Sequence, residues 1–264
     1  MGVFWTRIFI AVQHPLYRKF ILCLVFLGIN YTMKIGFYGH STSCWAEFPI
    51  YNQNSFIDKV IEHYNATLIN KGVPQGSEER ILFDLKKTKN LDIAIVFHSI
   101  PKFVYLPTCS RDVAITDIDR FKAFYLWRES NSNSTELAKA KQEYFSYGGI
   151  KESFEDIETF LQTFSLYKEY LYHPDLQLNR YNGAMLQIDQ YLLAKRIPVL
   201  HVALEKRVPS WFTFSSGKNC PHIQELADKH YEIGLPNNVS AEGQQVVANM
   251  LIKEIDELVG DAGL

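Results

Sequence analysis

Residues 33–43 read Met33-Lys34-Ile35-Gly36-Phe37-Tyr38-Gly39-His40-Ser41-Thr42-Ser43. A short apolar run stops at Gly39, and a serine follows two residues later. A buried parallel strand reads as a near-continuous apolar run. Where it ends at its carboxyl edge, the loop that follows presents its side chains to a ligand. The stretch therefore predicts both a sheet and a site, with Ser41 as the candidate nucleophile.

Outward from this segment, strand-like and helix-like patterns alternate. Ser55–Tyr64 carries Phe56, Val60 and Ile61 at helical spacing. Ala66–Asn70 reads as a second strand leading into Gly72. Ser77 is placed to cap a helix with Glu78 and Glu79 in its first turn, where negative charge suits the helix dipole. Ile81, Leu82 and Leu85 form the stripe of that helix. Leu91–Phe97 is the strongest strand, rich in Ile, Ala and Val. Phe154, Ile157, Leu161 and Phe164 define one later helix face, and Met185, Ile188, Leu192 and Leu193 another. Ile197–Leu204 reads as a strand. Ser240 caps a closing helix whose Val246, Val247, Met250, Leu251, Ile255 and Leu258 face inward.

Strands alternating with helices predict an α/β fold, a three-layer α/β/α sandwich around a central parallel sheet of flavodoxin-like kind. Its ligand site belongs beyond the carboxyl ends of the strands. This places Ser41, Gly72 and the residues after Phe97 on one edge. Residues 102–150 are expected to form an irregular insertion, either a functional excursion near the site or a solvated loop.

The chain has 264 residues, a formal charge of −2, 47% hydrophobic and 21% charged residues. That composition supports one substantial core. It gives no electrostatic reason to expect nucleic acid as a partner. Cys23, Cys44, Cys109 and Cys220 form no pair at metal-ligand or redox spacing. No metal and no cofactor are expected.

Residues 1–32 differ from the rest. Phe20–Ile29 is apolar and preceded by Arg18 and Lys19, yet it is shorter than the roughly 20 residues a membrane span requires. Three readings stand: an N-terminal extension or misassigned start before a domain covering 33–264, a secretory signal, or a membrane anchor. The compartment depends on which holds.

The segment Gly39-His40-Ser41 resembles the first block of the SGNH (GDSL) hydrolases, a family of serine esterases and acetylesterases, with His40 in place of aspartate. Asn70-Lys71-Gly72 resembles the second block. The resemblance implies Ser41 as nucleophile, its own amide and that of Gly72 as oxyanion donors, and a small-molecule or carbohydrate ester as substrate, O-acetyl groups included. His40, Ser99 and Asn238 fall in or beside the matched blocks and are the expected substrate contacts. The sequence departs from the family in two places. His98-Ser99-Ile100-Pro101 stands where Gly-x-Asn is usual, and Leu235 and Asn238 occupy the aspartate and histidine slots of the last block. A base is then needed from elsewhere. His98, at the end of a central strand on the same edge as Ser41, is the candidate. The alternative is a catalytically degenerate domain of the same fold that binds or scaffolds.

Overall fold

The computed structural model describes residues 32–39, 55–72, 76–101, 103–106, 111–114, 157–204, 207–230 and 239–261. Five parallel strands form the central sheet: β1 (Lys34–Gly39), β2 (Thr67–Gly72), β3 (Ile93–Phe97), β6 (Val199–Val202) and β7 (Gly217–Asn219), in the order β2-β1-β3-β6-β7. This is the doubly wound, flavodoxin-like order, and its switch point lies between β1 and β3. The α/β three-layer architecture expected from the sequence is present.

Period-two alternation sorts the strand residues into two cores. Ile35, Phe37, Ile93, Ile95, Phe97, Leu200 and Val202 face α1 (Phe56–Tyr64), α5 (Pro221–Lys229) and α6 (Ala241–Asp261). Tyr38, Ala94, Val96 and Val199 face α2 (Glu78–Lys87) and α4 (Pro174–Lys195). A further helix, α3 (Ile157–Tyr170), precedes α4.

Helix starts follow their caps. The Ser55 hydroxyl accepts from the Asp58 amide, and the Asp58 carboxylate accepts from the Ser55 amide, a reciprocal capping box. Ser77 accepts from the Arg80 amide at the start of α2, and Ser240 accepts from the Gly243 amide at the start of α6. Within α6, Val247, Leu251 and Ile255 are buried, while Val246, Met250 and Leu258 are only half-buried. Leu193 was expected in the core stripe of α4 but is 45% exposed. Leu192 next to it fills the core, since adjacent helical residues point about 100° apart.

Four elements were not anticipated. The region read as irregular contains an antiparallel pair, β4 (Phe103–Leu106) with β5 (Arg111–Ala114). The short strand β7 and the helix α5 also went unread, since Gly217-Lys218-Asn219 carries no apolar pattern. Among the described residues, no helix is long and apolar enough to cross a membrane. The N-terminal segment 1–32 lies outside the described residues apart from Thr32.

Candidate functional site

The three strands at the switch point end level. Gly39 pairs in register with Gly72 of β2 and with Phe97 of β3. The chain therefore leaves the sheet at one edge after Gly39, Gly72 and Phe97. Gly39 has φ +136°, and a Cβ there would stand 2.2 Å from the Phe97 carbonyl oxygen. Only glycine fits, which is the physical reason the apolar run stops at that residue.

Of the six residues singled out from the sequence, Gly72, His98 and Ser99 are described, and His40, Ser41 and Asn238 lie outside the described residues. Leu235 does too. The Gly72 amide donates to Asn70 Oδ1 at 2.8 Å, so the turn closes on its own side chain.

His98 and Ser99 converge on Glu78. Glu78 Oε2 lies 3.0 Å from His98 Nδ1, and Oε1 accepts from the Ser99 amide at 2.6 Å. All three residues are buried. The Ser99 hydroxyl donates to the Gly76 carbonyl. Tyr181 of α4 donates its hydroxyl to the Ser99 carbonyl at 3.2 Å. Burial, then the charge of Glu78, pushes that phenol above its ordinary value.

The bonding continues from His98 deeper into the molecule. His98 Nε2 lies 2.9 Å from His201 Nδ1, and His201 Nε2 lies 2.9 Å from Ser216 Oγ. Ser216 Oγ donates to Asp189 Oδ1 at 2.7 Å. The backbone amides of Ser215 and Ser216 also donate to Asp189 Oδ1, at 2.9 and 2.8 Å. Phe214 stacks on His201 with ring centroids 3.9 Å apart, and its ring centroid lies 5.1 Å from that of His98. Parity explains the meeting. His98 continues the face of Ala94 and Val96, and His201 shares the face of Val199. Both therefore point at α2 and α4, which bring Glu78 and Asp189.

Hydrogen counting defines the state of this chain. Four bonds link Glu78, His98, His201, Ser216 and Asp189, and each needs one hydrogen. Two neutral imidazoles and one hydroxyl supply three. With both carboxylates ionised, the four bonds need one hydrogen more than these groups carry. Burial, followed by the charge of His98, pushes the His201 imidazole well below its ordinary pKa of 6.5.

Asp92, which begins the segment leading into β3, serves the opposite edge, where it accepts from the Lys34 amide at 2.7 Å. The carboxylate that meets His98 is Glu78, which the sequence offered only as a helix-dipole residue. Its signal lay in topology. A glutamate in the first turn of the helix after β2 sits beside the end of β3 once the strand order is known.

No family model matches the chain, and no curated protein is significantly similar to it. Several solved structures are distantly similar. One is a gut microbial diltiazem-metabolizing enzyme, 9% identical over 88% of this chain and 35% of that one, with a TM-score of 0.31. Another is a protein described as lipolytic, of the G-D-S-L family, from Desulfitobacterium hafniense DCB-2. It is 14% identical over 84% of this chain and 99% of that one, with a TM-score of 0.29. A third solved chain is 8% identical over 87% of this chain and all of its own length, with a TM-score of 0.38. At these scores the likenesses carry no weight for activity, and the architecture stands on the sheet order and register.

Proposed function

We propose that the protein is an SGNH-like serine hydrolase acting on small or carbohydrate esters at the switch-point edge. Ser41 attacks the ester carbonyl, and the Gly72 amide is a donor to the oxyanion. His40, Ser99 and Asn238 contact the substrate. His98 takes the serine proton, and Glu78 on its Nδ1 holds the ring and stabilises the imidazolium that forms, as a carboxylate does in serine hydrolases generally. The observation that supports this reading is the level ending of β2, β1 and β3, with a buried carboxylate–imidazole pair directly after β3. The role of His98 requires its Nε2 to release both His201 and the hydrogen that bond carries, so that it meets the Ser41 hydroxyl unprotonated.

A second reading, a degenerate domain that binds without hydrolysing, is favoured by a different observation. The Gly72 amide is already engaged with Asn70, and both His98 ring nitrogens are engaged with Glu78 and His201. Purified protein offered p-nitrophenyl acetate and a serine-directed fluorophosphonate separates the two. Turnover and labelling that vanish in Ser41→Ala and fall at least a hundredfold in His98→Gln support the hydrolase. Turnover equal to that of Ser41→Ala, with no label on Ser41, selects the binding domain.

A further inference from the structure

On the far face of the sheet, Cys220, His222 and Glu254 bring one sulfur, one nitrogen and one carboxylate oxygen within 4.8 Å of one another. His222 Nε2 lies 3.1 Å from Glu254 Oε1, and Cys220 Sγ lies 3.4 Å from Glu254 Oε2. We propose that these three side chains form a binding site for a zinc-class divalent cation, joining the start of α5 to α6.

Spacing is the first argument. Ligand atoms about 2.0–2.3 Å from zinc at tetrahedral angles stand about 3.3–3.6 Å apart. The His222 Nε2–Glu254 Oε1 separation of 3.1 Å is within a few tenths of an ångström of this, and the sulfur, within 4.8 Å of both, reaches it by a small side-chain movement. The donor set of thiolate, imidazole and carboxylate is one that zinc accepts, and three protein ligands leave a fourth position for water. The His222 side chain is 39% exposed, which gives a cation an entry path.

The second argument is that apolar packing does not explain the cluster, even with Lys218 paired to Glu254. Glu254 is 4% exposed on the core-facing stripe of α6, between buried Leu251 and Ile255, where an apolar residue is the default. His222 Nε2 is buried at the atom and makes no hydrogen bond, despite its short distance to the carboxylate. Cys220 occupies the N-cap of α5 but makes no capping bond with its side chain, and its sulfur turns to Glu254 instead. Its backbone amide donates a hydrogen bond to the His201 carbonyl at 2.7 Å.

Lys218 does not block the site. Its ammonium lies 2.5 Å from Glu254 Oε2 and 2.8 Å from Glu257 Oε2. Oε1, the atom beside His222, remains available to a cation, and Lys218 then holds the other oxygen as an orienting partner. Burial opposes ionisation of Glu254, but the ammonium of Lys218 and the Cys220 thiol outweigh it and keep the carboxyl below its usual range. Burial and the neighbouring carboxylate push the Cys220 thiol up to about 12. The thiol is thus protonated when no cation is bound, and a bound dication takes the place of that proton.

The test uses the full chain, stripped with a chelator and titrated with cobalt(II) and then zinc(II). The expected result is one equivalent of cobalt bound with a thiolate-to-cobalt charge-transfer band, displaced by zinc, and a zinc-dependent rise in Tm. The band is lost in Cys220→Ser, and zinc affinity falls at least tenfold in His222→Ala, a half-exposed position whose substitution leaves the core intact. No cobalt band in the stripped protein would overturn the site. So would a band that persists in Cys220→Ser, or zinc affinity unchanged in His222→Ala.

Discussion

The two faces of the sheet are built from the same strands but end differently. Toward α1, α5 and α6, the strands stay apolar to their carboxyl ends, finishing on Phe97 and Val202. Toward α2 and α4, the apolar pattern gives way to His98 and His201, which meet Glu78 and Asp189. One face is stabilised at its strands by area removed from water. The other is stabilised at its carboxyl end by a polar chain in which every member has a partner. The contrast teaches that a one-residue difference in strand parity decides whether a side chain is packing or chemistry.

The largest expected effect lies on the apolar face. Phe56 tilts against Phe37 and Phe97, with ring centroids 6.4 and 5.9 Å apart. Phe56→Ala should cost about 3–5 kcal/mol, read as a lower urea midpoint at unchanged slope. A loss below about 1 kcal/mol would show that this face is not close-packed.

On the polar face, direction matters more than volume. Glu78→Ala leaves the His98 ring and the Ser99 amide without their buried partner and should cost about 3 kcal/mol. Glu78→Gln should cost less than about 1 kcal/mol. The glutamine oxygen still accepts from Ser99, and its NH2 donates to His98 Nδ1. Each ring then donates onward, to His201 Nδ1 and to Ser216, and all four bonds are kept with both imidazoles neutral. Equal losses for the two variants, by chemical denaturation, would break the four-hydrogen account.

A smaller, pH-dependent effect follows from His201. Its folded-state pKa lies below the ordinary 6.5, so the unfolded chain binds the proton more readily. Stability is therefore fully present above about pH 6.5 and is lost as pH falls below it, by about 1.4 kcal/mol per pH unit from this group. The difference in slope between the native protein and His201→Phe, followed by urea titrations from pH 7.5 down to pH 5, isolates it. Identical slopes would mean that His201 is not buried in a neutral state.

Much of the fold was legible because it is written in local periods. The Ile-Ala-Ile-Val run of β3, the caps Ser55, Ser77 and Ser240, and the stripe of α6 each follow from near neighbours in the sequence. The strand β7 carries no such pattern, while the apolar run of β4 and the Ile223, Leu226 and Ala227 spacing of α5 span only four and nine residues and do not stand out from their flanks. Less of the site could be read. His98 stood out from its place after β3, but Glu78, His201 and Asp189 become its neighbours only through strand order and helix packing. His40, Ser41 and Asn238 lie outside the described residues. The cluster of Cys220, His222 and Glu254 was invisible to a search for cysteine pairs, because its third member arrives from α6.

The smallest effect distinguishes glycines required by geometry from those that are not. A Cβ at Gly39 would collide with the Phe97 carbonyl, and one at Gly217 would stand 2.0 Å from the Val199 carbonyl oxygen. Both lie where strands approach closely. Gly183 is in the interior of α4, and a Cβ there meets nothing within 4 Å. It carries no positive φ. Its only contribution is backbone freedom that folding must remove, so Gly183→Ala should raise stability by about 0.5–1 kcal/mol. Thermal and urea unfolding check this. A destabilised Gly183→Ala would mean that α4 packs more tightly at this position than the open space around a Cβ there indicates.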